Sequence, residues 1–118
     1  MSERITVQTA YTNVDLVTQT CAQLGLPAPI HGTTALYDRV PITGLQVKLA
    51  GWKFPLVINT DGSSVYDNYK GSWGDEAKLR EFRNRYTENM VVAQANTMGW
   101  AVEERCETED SIVLTLTA

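Results

Sequence analysis

The sequence predicts an α+β fold: a single two-layer domain whose mainly antiparallel sheet carries two helices on one face, in the order β-α-β-β-β-α-β-β. Three observations carry that expectation. A sustained helical periodicity runs from Asp75 to Met98, short alternating polar and apolar runs lie on both sides of it, and Asp61-Gly62 marks a hairpin between two such runs. At 118 residues the chain has the length of one domain, 1–118, with room for one hydrophobic core and not for two of ordinary size.

Arg4 to Gln8 alternates and predicts a first strand with Ile5 and Val7 on its buried face. From an N-cap at Thr12 or Asn13, the residues Val14, Val17, Cys21 and Leu24 recur at helical spacing until Gly25 and Pro27 stop the helix. Pro27, Pro29, Gly32 and Pro41 then punctuate a stretch of weak periodicity, with room for a short irregular strand near Leu36 to Val40. Leu45 to Leu49 and Phe54 to Ile58 alternate as two strands around Gly51-Trp52, and Ser63 to Asn68 returns after Asp61-Gly62. Pro55 has no N–H for a ladder, which predicts an edge position or a bulge for its strand.

Asp75 predicts the N-cap of the second helix, with Glu76 in the first turn, where the helix dipole favours an acid. Leu79, Phe82, Tyr86, Met90, Ala93 and Thr97 follow at steps of three or four, and Gly99 ends the helix. Trp100 to Cys106 and Ser111 to Thr117 read as a closing strand pair with Ile112, Leu114 and Leu116 inward. Burying Leu79, Phe82, Tyr86 and Met90 at about 1.5–3 kcal/mol each is a contribution a domain stable by only about 5–15 kcal/mol needs. The stripe is therefore core rather than a binding face.

Hydrophobic residues at 43% and charged residues at 20% are globular values, and the formal charge of −4 argues against nucleic acid as a partner, since that binding rests on clustered Lys and Arg. The amino-terminal residues lack a secretory pattern, and no apolar run reaches membrane-spanning length, which predicts a soluble cytoplasmic protein without a membrane partner. Cys21 and Cys106 fit no zinc-ligand or CxxC spacing and are expected as free thiols.

Recognisable chemistry is sparse. His31 is the only histidine and sits in no nucleophile or metal motif. Glu103, Glu104, Glu107, Glu109 and Asp110 lack the spacing and glycine of a calcium loop, and Asp61-Gly62 and Lys70-Gly71 lack that of a phosphate loop. No catalytic residue, metal site or cofactor is predicted.

Along 54–100, several features occur together: the apolar run Phe54-Pro55-Leu56-Val57-Ile58, the turn at Asp61-Gly62, and the return through Val65-Tyr66-Asp67. Trp73 then precedes the helix start, Leu79-Arg80-Glu81-Phe82-Arg83-Asn84-Arg85-Tyr86 lies within the helix, and Met98-Gly99-Trp100 closes it. This pattern resembles domain-of-unknown-function family 1257, which includes a ycf-type small open reading frame of algal plastids and cyanobacteria. The resemblance extends weakly to Ile5 and Leu24-Gly25. It implies an uncharacterised accessory factor of larger machinery, with an AAA-type ATPase as a partner class. It also implies a cyanobacterial, cyanophage or plastid origin, the stroma being the location if organellar.

The residues that remain for recognition are Tyr69 and Trp73 in the turn-rich segment and Arg80, Arg83 and Arg85 on the helix after it. Aromatics and arginine combine contact area with directional hydrogen bonds, the composition of binding hot spots. The plainer account is that Glu76 with Arg80 and Glu81 with Arg85 are i,i+4 pairs of an ordinary helix surface. The expected function is a non-enzymatic accessory or adaptor protein that binds a protein partner. The alternative is a small-ligand-binding protein or enzyme with a pocket between helix and sheet, using Tyr86, Arg83 or Asp67.

Overall fold

The computed structural model describes residues 5–7, 11–67, 72–107 and 112–117. Its elements are β1 (Ile5–Val7), α1 (Val14–Gln23), β2 (Ile30–Ala35), β3 (Pro41–Val47), β4 (Leu56–Ile58), β5 (Ser64–Tyr66), α2 (Glu76–Thr97), β6 (Ala101–Glu107) and β7 (Ile112–Thr117). This is the α+β order read from the sequence with one strand added, β2. It lies before the 36–40 stretch, which forms the connection to β3 instead. Its residues after Pro29 are mostly small or β-branched, and β2 pairs with β3 along its whole length, helped by a 2.7 Å hydrogen bond between the Thr33 and Thr43 hydroxyls.

Five strands form an antiparallel sheet in the order β1-β5-β4-β3-β2, and β6 and β7 form a separate hairpin. Pro55 corrects one expectation. The strand after it, β4, lies in the middle of the sheet without disruption, because Pro55 stands just outside the ladder and removes no donor from it. Gly44 in β3 is required by close approach. A Cβ there would lie 2.6 Å from the Ile58 carbonyl oxygen and 2.8 Å from Val57 Cγ1.

Both helices carry the caps their sequences encode. Asn13 Oδ1 accepts the Leu16 N–H at 3.1 Å, and Asp75 Oδ1 accepts the Ala77 N–H at 2.9 Å. At the other ends, Gly25 and Gly99 have φ of 71° and 80°. The paired bonds of a Schellman motif follow: Leu26 N–H to Cys21 O with Gly25 N–H to Ala22 O, and Trp100 N–H to Ala95 O with Gly99 N–H to Asn96 O.

The core lies between the helices and one face of the five-stranded sheet. Val17 and Cys21 of α1 and Phe82 and Tyr86 of α2 meet Leu45, Val47, Leu56 and Ile58 there. The register places Leu45 opposite Ile58 and Val47 opposite Leu56, so these four share a face. Val57 and Val65, opposite each other on the other face, are buried too.

The stripe of α2 departs from its expected course after Tyr86. Met90 is exposed, as are Ala93 and Thr97, while Asn89 is buried. Asn89 Nδ2 donates to Thr20 Oγ1 at 3.0 Å and to Gln23 Oε1 at 2.9 Å, so α1 and α2 are joined at this level by an amide network rather than by a methionine. Further along, half-buried Val91 and Val92 and buried Ala95 belong to the part of α2 that leads into the β6–β7 hairpin. Glu88 holds that hairpin through Arg105, which donates from Nε and, at 2.9 Å, from Nη2.

Candidate functional site

The start of α2 is set by Trp52. Its indole N–H donates to the Asp75 carbonyl at 3.0 Å, and its ring lies so close to Gly74 that any Cβ there would overlap it. Gly74 is therefore glycine for steric reasons. The same ring packs edge-to-face with Tyr66, centroids 5.6 Å apart, which ties the helix start to the sheet.

That arrangement places Trp73 against the 52–55 turn. The Lys53 N–H donates to the Trp73 carbonyl at 2.8 Å, and the Trp73 ring contacts Phe54 at 5.5 Å and Tyr37 at 4.9 Å between centroids. The Lys53 ammonium stands 4.8 Å from the centre of the Trp73 ring and 5.7 Å from that of Phe54, within cation–π range. Trp73 and Phe54 are half-buried, while Tyr37 is 54% exposed. Three rings and a cation thus form a patch open to solvent.

Beside it lies a groove of about 660 Å³ lined by Ala35, Leu36, Tyr37, Arg39, Lys53 and Phe54. Leu36 is buried. Arg39 holds φ at 60°, a conformation that costs an L-residue roughly 1–2 kcal/mol and costs glycine little. The turn is fixed by the Arg39 N–H donating to Leu36 O at 2.9 Å and the Val40 N–H donating to Asp38 Oδ1 at 3.0 Å.

The residues expected to form the recognition surface take different places. Tyr69 lies outside the described residues. Trp73 is in the ring cluster. Arg83 is exposed near Tyr11 and Tyr66, where its charge offsets part of the rise that burial causes in both phenols. Arg85 lies 3.7 Å from Glu88 Oε1, three residues on, rather than turning back to Glu81. On a helix, positions 83 and 85 are about 200° apart, so those two arginines cannot share a face. Arg80 is half-buried and, three residues before Arg83, lies about 60° from it on the same side of the helix.

Of the groups considered for a pocket between helix and sheet, Tyr86 and Asp67 are buried and Arg83 is exposed. Tyr86 is enclosed with the Tyr11 ring 5.0 Å away, and its hydroxyl accepts the Asn13 N–H at 3.3 Å. Asp67 is buried at the end of β5. Cys21 is buried, which pushes its thiol pKa up and away from reactivity, whereas Cys106 is exposed; both are free thiols. His31 is exposed on β2.

Sequence reasoning missed Tyr37, Arg39, Lys53 and Phe54 as one site. No spacing rule joins 37–39 to 53–54 and 73; the contact exists because β2 and β3 bring the first pair beside the turn on which Trp73 rests. The fold and this surface define a small α+β domain with an exposed aromatic and cationic patch. No family model matches the chain, and no curated protein or solved structure is detectably similar to it. No helix among the described residues is long and apolar enough to cross a membrane.

Proposed function

We propose that this chain is a non-enzymatic accessory or adaptor protein that binds a protein partner through the surface around Trp73. The observation that supports this reading most is the Tyr37–Trp73–Phe54 ring cluster with the Lys53 ammonium over it. Large rings that keep a solvent-facing side, held in place by backbone bonds, lose little freedom on binding and supply much contact area. Exposed Arg83 of α2 belongs to the same proposal as a flanking contact. The resemblance to family 1257 adds the partner class it implies, an AAA-type ATPase, and a cyanobacterial or plastid setting.

The test is affinity capture with the tagged protein from its host, followed by titration of the purified captured protein. Trp73→Ala, Tyr37→Ala and Arg83→Ala should each weaken binding by at least about 1 kcal/mol, with smaller effects on unfolding free energy. If the variants lose stability yet bind normally when folded, the surface is structural and the reading is wrong.

A further inference from the structure

The groove next to the ring cluster carries an electrostatic signature opposite to that of the whole chain. The protein has 14 acidic and 10 basic side chains, yet none of the groove-lining residues Ala35, Leu36, Tyr37, Arg39, Lys53 and Phe54 is acidic, and two are cations. The nearest acid in sequence, Asp38, has its carboxylate engaged with the Val40 N–H. Among the described residues, neither the Arg39 guanidinium nor the Lys53 ammonium has an ion pair. We propose that this groove seats a short acidic segment of a protein partner, its carboxylates on Arg39 and Lys53 and an apolar side chain against Tyr37 and Phe54.

This inference rests on the partner-binding reading and gives it a chemistry. The two cations are held differently, and both arrangements suit a carboxylate. Lys53 is anchored by its backbone bond to Trp73, and its ammonium lies over the ring, so the charge is positioned before any ligand arrives. Arg39 occupies a left-handed position where glycine or asparagine would be less strained, and a guanidinium offers the forked donor geometry that carboxylates accept. The groove volume, about 660 Å³, takes one bulky side chain with its flanking backbone rather than a folded domain. Single-stranded nucleic acid also combines charge with rings, but it needs a basic track along its backbone, and two cations on a chain of net charge −4 do not make one.

The left-handed turn also supplies a clean probe. Arg39→Gly deletes the guanidinium while relieving the backbone, so a loss of binding cannot be blamed on misfolding. The experiment is calorimetric titration of the whole chain with a short peptide in which glutamates flank one phenylalanine. A glutamine-for-glutamate version of the peptide, free phenylacetate and oligothymidylate are titrated in parallel. The glutamate peptide should bind, weaken as salt is added, and bind the Arg39→Gly and Lys53→Gln variants about fivefold to tenfold less well, with the unfolding midpoint of Arg39→Gly unchanged or raised. Equal binding of the glutamine peptide would overturn the acidic inference and leave the partner reading standing. Binding of phenylacetate or oligothymidylate without the peptide would overturn both. Silence of every probe would overturn the acidic inference alone, since the Trp73 titration tests the partner reading independently.

Discussion

The hydroxyl of Tyr86 accepts the backbone N–H of Asn13 at 3.3 Å, across 73 residues of sequence, at the point where the chain enters α1. One side chain of α2 thereby fixes the start of the other helix. Its ring meets Tyr11, whose own N–H donates to Gly62 O at 2.9 Å, so the entry to α1 is held from the sheet as well.

Tyr86→Phe keeps the ring and removes the hydroxyl that accepts the Asn13 N–H. Chemical denaturation should show a loss of about 0.5–1.5 kcal/mol, against about 3–5 kcal/mol for Phe82→Ala, which leaves a cavity in the same core.

Two glycines that face each other in the β2–β3 register should respond oppositely to substitution. Gly44→Ala forces a Cβ onto the Ile58 carbonyl and should cost about 1–3 kcal/mol through backbone displacement. Gly32→Ala meets only Gln46 Nε2 at 3.5 Å and should be neutral or slightly stabilising. Equal unfolding midpoints for the two variants would contradict the β3–β4 approach described above.

The hairpin should loosen in acid. Hydrogen bonding from Arg105 holds the Glu88 carboxyl below its usual pKa, with partial burial acting the other way. The folded state therefore binds this proton less readily than the unfolded one. The pair's contribution is fully present above the ordinary glutamate value of about 4.3 and fades as pH falls through the lowered folded value. Arg105→Ala should cost about 1 kcal/mol at neutral pH and progressively less in acid, read from unfolding curves across a pH series.

At the alkaline end, Tyr11 should dominate. Burial pushes its phenol up to about 12, so the folded state keeps a proton that the unfolded chain releases near 10. Its contribution to stability is intact below pH 10 and is lost as pH rises toward 12. Ultraviolet titration should show a tyrosine that ionises late or together with alkaline unfolding, and Tyr11→Phe should remove that late step.

The thiols should separate by rate. Cys106 is exposed and should react with a disulfide reagent in the native protein, while Cys21 should react only as the chain unfolds. A single bridged species with no titratable thiol would contradict both assignments.

Much of this fold is legible along the chain because its signals are local. Asn13, Gly25, Asp75 and Gly99 announce helix ends through their own backbone preferences, and the structure places a cap or a Schellman turn at each. Signals that depend on distant partners are not legible. Asn89 looks like a surface residue until Thr20 and Gln23 are brought beside it, and Met90 looks like core for the same want of knowledge. The β2 strand lacks an alternating apolar pattern because it pairs at the sheet edge with much of it exposed. Of the candidate surface, Trp73 was legible through its flanking glycine and turn context, whereas Tyr37, Arg39, Lys53 and Phe54 are joined only by tertiary structure.

From β2 through β5, each strand pairs with its successor, so four strands of the large sheet assemble from contacts short in sequence. Both remaining closures are long: β1 meets β5 from the opposite end of this region, and α2 reaches α1 through contacts 66 to 73 residues apart. Loop closure makes such contacts slow relative to neighbouring-strand pairing. During synthesis the meander leaves the ribosome ahead of α2, with Leu45, Val47, Leu56 and Ile58 facing a helix that has not yet emerged. The interval before Phe82 and Tyr86 arrive is when the nascent chain is most exposed to aggregation and most in need of a chaperone.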